Sequence, residues 1–158
     1  MDFAKEQVID QQRISGRVIE RVLEDLYEAL WDHDAHKAVQ AFASENVMYT
    51  MAPPLQSVSG SSPGEEGVRQ WLAGFEVGPA FDLRDQHIEV SGDLAVVHRL
   101  MHMSGKKTDG EDVDLWYRET NCLKRERGEW RIFHQHQSVP FYMDGEKRAA
   151  TDLRPEMH

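Results

Sequence analysis

A chain of 158 residues with 40% hydrophobic and 29% charged side chains is long and apolar enough to bury one core, which excludes a disordered chain and favours a single domain. With 28 acidic against 18 basic side chains the net charge is −10 at pH 7, so the summed field repels phosphate backbones and anionic lipid; neither nucleic acid nor a membrane is an expected partner. No apolar run approaches the roughly 18 residues of a spanning helix, and the polar, acidic start lacks the basic and apolar regions of a signal peptide, so a cytoplasmic protein is expected.

From Ile14, the apolar residues Val18, Val22, Leu26, Ala29 and Leu30 recur at three- and four-residue spacing between charged ones, which predicts a long amphipathic helix. Asp32-His33-Asp34 breaks it, and Asp34 can cap a short second helix over residues 35–42. Residues 46–51 read as a strand, stopped by Pro53-Pro54, and the Gly/Ser/Pro-rich stretch 57–64 as a loop able to act as a lid. A third helix opens on Glu65 and Glu66, where carboxylates meet the positive end of the dipole, with Val68, Trp71, Leu72 and Phe75 as its buried stripe. Gly74 and Gly78-Pro79 end it.

The remainder is strand-like: residues 83–90, 94–103, 113–124 and 130–139, separated by Ser91-Gly92-Asp93, by a glycine-flanked loop at 105–110 and by a turn at Gly128. Helices first and an antiparallel meander afterwards predict an α+β fold in which the N-terminal helices pack in the concavity of a strongly curved, mostly antiparallel sheet with a pocket. The whole chain, 1–158, is expected to be one domain, with a core over about 15–142 and a C-terminal arm over 143–158. Cys122 lies in an apolar, β-prone run and has no possible internal disulfide partner, so it is expected to be a small core residue.

The element order, together with Tyr49, Pro53-Pro54-Leu55, Gly92-Asp93, Gly105, Asp109-Gly110, the run from Asp114 to Thr120 and the closing strand from Trp130 to Phe141 with its His134-x-His136-x-Ser138 pattern, resembles the SnoaL-like, ketosteroid-isomerase-like family. The likeness covers roughly residues 15–142. It implies a cone-shaped domain, usually a homodimer through its sheet, with a mostly apolar pocket. It does not settle the chemistry, because related proteins include isomerases, dehydratases, cyclases and non-catalytic association modules.

If the Glu126-Arg127-Gly128 hairpin is a three-residue loop, Trp116 faces Ser138, Arg118 faces His136 and Thr120 faces His134. These residues and Ile132 then form one even-numbered patch across two strands. His98 and His102 share that parity on the preceding strand. On one reading the patch lines the pocket: His134 and His136 move a proton, Asp114 is the candidate pocket carboxylate, and Arg118 offers a fixed donor fork to a carbonyl or carboxylate. On the other reading the patch is the convex face and forms a dimer interface; a two-residue turn would place Arg118 opposite Gln137. Tyr27, Trp31, Met48 and Tyr49 lie on elements that would roof the pocket, where the phenols are natural donors to a ligand oxygen.

The histidines do not make a convincing metal set, and the sequence has neither a phosphate-cradling glycine loop nor a Gly-x-Ser-x-Gly elbow, so no metal and no organic cofactor are expected. Two functions follow. One is an acid-base isomerase, dehydratase or cyclase acting on an apolar carbonyl or carboxylate compound, and the other is a non-catalytic ligand-binding or association module.

Overall fold

The computed structural model describes residues 2–59 and 64–156. Helix α1 runs Phe3–Trp31, capped by the Asp2 carboxylate accepting from the Ala4 amide, and α2 runs Ala35–Val39, capped by Asp34 accepting from the Lys37 amide. Strand β1, Phe42–Tyr49, and the two-residue β2, Ser57–Val58, follow, then α3, Gly64–Ala73. Four long strands complete the fold: β3 Phe75–Ser91, β4 Leu94–Lys107, β5 Asp112–Glu126 and β6 Glu129–Ser138.

They form one open sheet in the order β2-β1-β6-β5-β4-β3, antiparallel throughout except for the β1–β6 pair. The expected α+β architecture is the observed one, except that the sheet is not closed into a barrel. Its inner face is set by alternation. Ala95, Val97, Arg99 and Met101 of β4 and Tyr117, Glu119, Asn121 and Leu123 of β5 are all buried, and their even-numbered neighbours are not. α1 lies on that face, packing Ile19, Leu23, Leu26 and Ala29 against Val97, Leu123 and Ile132.

Several boundaries differ from the expected ones. α1 begins eleven residues before Ile14, as Phe3 and Ile14 show. Its buried stripe is Ser15, Ile19, Leu23, Leu26 and Ala29, leaving Ile14 and Val18 about half exposed on its flank. α2 ends at Val39, and β1 starts at Phe42 because Ala41 and Phe42 are drawn into pairing beside Ile132. Phe75 belongs to β3 rather than to a helical stripe, and Trp71, expected to be buried, sits partly exposed with its edge on the Phe75 ring. The expected lid falls partly on residues 60–63, outside the described residues; its start, Ser57–Val58, pairs with β1.

The β5–β6 connection is a two-residue turn, with Arg127 and Gly128 at φ 52° and 79° and Glu126 opposite Glu129. The expected three-residue loop is corrected. Pairing near the turn joins odd to even positions, so Trp130 and Ile132 lie on the inner face with Arg125 and Leu123. Phe133 then bulges out of register, and beyond it Cys122 pairs with His134, Thr120 with His136 and Arg118 with Ser138. The bulge thus restores the even-numbered grouping that the turn had broken, without Ile132 and displaced by one pair from the expected register.

Among its described residues the C-terminal arm makes no helix. It folds back through a Phe141–Ala149 bridge, buries Ala150, and is tied down where Arg154 grips Asp114 and Glu156 accepts from Arg84.

Candidate functional site

The register of β3 with β4 is irregular between Phe75 and Val77, between Val77 and Ala80, and between Arg84 and His87. Between helix and strand lies a cavity of about 400 Å³, within the range of small-molecule sites. Leu23, Tyr27 and Trp31 reach it from successive turns of α1, Phe81 from β3 and Met101 from β4. The Tyr27 and Phe81 rings meet at 4.6 Å between centroids.

Its inner end is polar. Arg99 and Glu119 are direct cross-strand partners on β4 and β5, with side chains 1% and 0% exposed. Arg99 Nε and Nη2 donate to Glu119 Oε1 at 3.1 and 2.8 Å, and Nη1 donates to Gln86 Oε1 at 3.0 Å. Glu119 Oε1 also accepts from Asn121 Nδ2 at 2.8 Å, while Oε2 accepts from the Tyr27 hydroxyl at 2.5 Å and from Gln137 Nε2 at 2.9 Å. Asn121 Oδ1 accepts from Gln135 Nε2 at 2.9 Å, which completes a chain of partners across β4, β5 and β6.

A buried charge pair survives only when its remaining lone pairs and N–H groups are occupied, as they are here. Among the described residues no buried side-chain polar atom lacks a partner. Burial, and after it the Glu119 carboxylate, push the Tyr27 phenol well above its usual range. Burial and then Glu119 do the same to Tyr117 on the same face. Tyr27 therefore remains a donor at neutral pH. The guanidinium of Arg99 lies 5.1 Å from the Tyr27 ring centroid, and although burial opposes its charge, Tyr27 and Glu119 hold its pKa above the usual value.

Of the residues singled out from the sequence, Tyr27 and Trp31 line this cavity. The even-numbered patch does not. His134, His136, Trp116, Arg118, Thr120, Ser138, His98 and His102 occupy the outer face of the sheet, opposite α1, with Tyr49 beside them on β1. The expectation that this face lines the pocket is corrected: the apolar alternation of β4 and β5 turns their odd-numbered residues to the helix.

On the outer face one cross-strand row reads His87, His98, Thr120, His136 and Tyr49. The His87 and His98 rings stack at 5.0 Å, and Tyr49 packs edge-on against His134 at 4.8 Å and His136 at 5.5 Å. His134 Nδ1 is 2.8 Å from the Val47 carbonyl oxygen, and Arg118 Nε donates to Ser138 Oγ at 3.2 Å. Asp114 is an exposed clasp rather than a pocket acid. It accepts two bonds from Arg154 at 2.9 Å and lies 2.6 Å from His102 Nε2, whose ring stacks on Trp116. Arg154 first, and His102 after it, hold the Asp114 carboxyl far below the usual carboxylate range. Cys122, expected in the core, is partly buried on this outer face, where burial raises its thiol pKa.

The residues missed from the sequence are Arg99, Glu119 and Gln86. A signal was present: Arg99 stands in the apolar alternation Ala95, Val97, Met101, where a buried cation needs a carboxylate, and Glu119 stands in the matching alternation Tyr117, Asn121, Leu123.

A long helix laid in an open cone of sheet, with a cavity at one edge, is the architecture of proteins similar to nuclear transport factor 2. The chain is similar to an NTF2-like protein of unknown function from Pseudomonas putida KT2440, at 23% identity over 90% of this chain and 98% of that one, with a TM-score of 0.76. It is also similar to a ketosteroid isomerase-like protein from Erwinia carotovora atroseptica, at 16% identity over 78% and 94% with a TM-score of 0.61. The association domain of C. elegans CaMKII gives 19% identity over 82% and 99%, with a TM-score of 0.63. The sequence pattern of the SnoaL-like domain family matches residues 19–142, and the chain belongs to that family. The comparison with curated proteins gives no match. Among the described residues, no helix is long and apolar enough to cross a membrane.

Proposed function

We propose that the chain binds a small, largely apolar molecule carrying a carbonyl or similar acceptor oxygen, in the cavity between α1 and the β3–β4 edge. One observation carries this reading: the orientation of Gln86. Its Oε1 accepts from Arg99, which fixes the amide and leaves Nε2 as a donor with no partner among the described residues at the inner end of an aromatic cavity. A ligand oxygen there would accept from Gln86 while its apolar body lies against Tyr27, Phe81 and Met101.

Binding without turnover is favoured over acid-base chemistry. Arg99 is permanently charged, Tyr27 is held protonated, and every Glu119 oxygen already accepts from two or more donors. A second reading, in which a carbonyl compound is isomerised or dehydrated, is supported by one feature, the direct Tyr27–Glu119 contact at the cavity floor. Self-association through the outer face of the sheet is part of the proposal, supported by the part-exposed Leu94, Val96 and Trp116 there and by the likeness in fold to an association domain.

The test uses N-phenyl-1-naphthylamine, an uncharged probe that fluoresces in apolar sites. Wild-type protein should bind it saturably, and Leu83→Trp, which fills the cavity from β3 at the position paired with Met101, should abolish binding while the circular dichroism is unchanged. Equal binding by the filled variant would remove this cavity as the ligand site.

A further inference from the structure

The outer end of the cavity differs in charge from its inner end. Glu20, Glu24 and Glu28 follow one another at four-residue spacing along the cavity-lining side of α1. Like charges at that spacing repel, so the row costs the helix stability. Arg21 reaches Glu24 at 3.9 Å but is held more closely by Asp25 at 3.1 Å, and among the described residues neither Glu20 nor Glu28 has an ion-pair partner. Trp31, one turn beyond Glu28, lines the same cavity and is 53% exposed, with no ring or cation stacked on it among the described residues. An open indole face beside unpaired carboxylates, at the mouth of an apolar cavity, is the arrangement that holds an organic cation.

Other charges near the mouth do not cancel this field. Asp82 turns its carboxylate outward, 3.7 Å from His102 Nδ1, and Arg84 is occupied by Glu156. Arg99, the one cation lining the cavity among the described residues, is neutralised by Glu119. A carboxylate ligand would have to pass the three glutamates, whereas an amine would be drawn in by them and by the net charge of −10.

Resting on the cavity reading above, we propose that the ligand is an aromatic or apolar amine, whose cationic group sits between Trp31 and the Glu20–Glu24–Glu28 row while its body fills the cavity. The inner amide of Gln86 then reads a polar substituent on that body.

Three probes share one indole body and differ only in the terminal group: tryptamine, tryptophol and indole-3-propionate. Calorimetric titration at low salt should rank them in that order, with tryptamine about tenfold tighter than tryptophol. In the double variant Glu20→Gln/Glu28→Gln the tryptamine advantage should shrink to about threefold or less, with tryptophol affinity unchanged. These substitutions relieve repulsion on an exposed helix face, so the variant should fold. Leu83→Trp should lose all three ligands. Equal affinity for tryptamine and tryptophol would overturn the amine proposal and leave the cavity reading standing. A tryptamine preference that persists in the double variant, or tight tryptamine binding by Leu83→Trp, would also overturn it. If no probe binds, both readings fail.

Discussion

Glu119 is the residue on which the interior turns. It is fully buried and accepts from Arg99, Tyr27, Asn121 and Gln137 at once. Glu119→Gln would strand the Arg99 guanidinium without a countercharge and is expected to cost about 3–5 kcal/mol in urea unfolding, since the surviving charge stays buried. Tyr27→Phe removes one donor and should cost less, about 1–3 kcal/mol. The phenols also set an alkaline limit. The folded-state pKa values of Tyr27 and Tyr117 are raised, so their contribution is complete below the unfolded value near 10 and is lost as pH rises above it. The urea midpoint should hold from pH 8 to about 9.5 and fall beyond; in Tyr27→Phe the fall should be shallower.

At the scale of elements, the C-terminal arm and β5 are joined by an exposed clasp. Its central acid, Asp114, has a depressed pKa, so the clasp is intact above the unfolded carboxylate value near 4 and weakens as pH falls below it. Asp114→Asn should loosen the arm at neutral pH as well. Hydrogen exchange at the Tyr142 and Ala150 amides, which bond to Arg148 and Pro140 within the fold-back, is expected to rise several-fold while the β4 and β5 amides remain protected. Unchanged exchange at those two amides would mean that the bridge to Phe141 holds the arm by itself. The β5–β6 hairpin shows how one residue redirects a strand. The two-residue turn alone would have put His134 and His136 on the helix side, and the Phe133 bulge returns them to the outer face.

Over the whole molecule, α1 covers one face of the sheet, and the C-terminal arm meets the other at Asp114 and Arg84. On that other face, five histidines alternate with Val96, Leu100, Trp116 and Cys122 across β3 to β6. If this face joins two copies, sedimentation at micromolar concentration should give a dimer. Val96→Asp, which adds a carboxylate beside Glu89 and Cys122, should shift it to monomer without altering the circular dichroism. A monomeric wild type would refute self-association and leave the cavity untouched, because the two sites lie on opposite sides of the sheet.

The order of helices and strands, the caps at Asp34 and the glycine turns were legible in the sequence, because helix period, strand alternation and turn chemistry are local properties of the chain. Alternation also grouped Trp116 with Arg118 and Thr120, and His134 with His136 and Ser138, but joining the two sets rested on a three-residue turn that the structure does not have, and only the Phe133 bulge brings them to one face. Which face that would be was not a local matter. It depended on where α1 packed, and so on the apolar run of Ala95, Val97 and Met101 outweighing the more conspicuous histidines of the other parity. The cavity depended on still more distant features: the packing of α1 beside an irregular β3, and a register that sets Arg99 opposite Glu119 across twenty residues of sequence. Local preference determined what each segment became. Burial, which acts between segments, decided which of their side chains could meet a ligand.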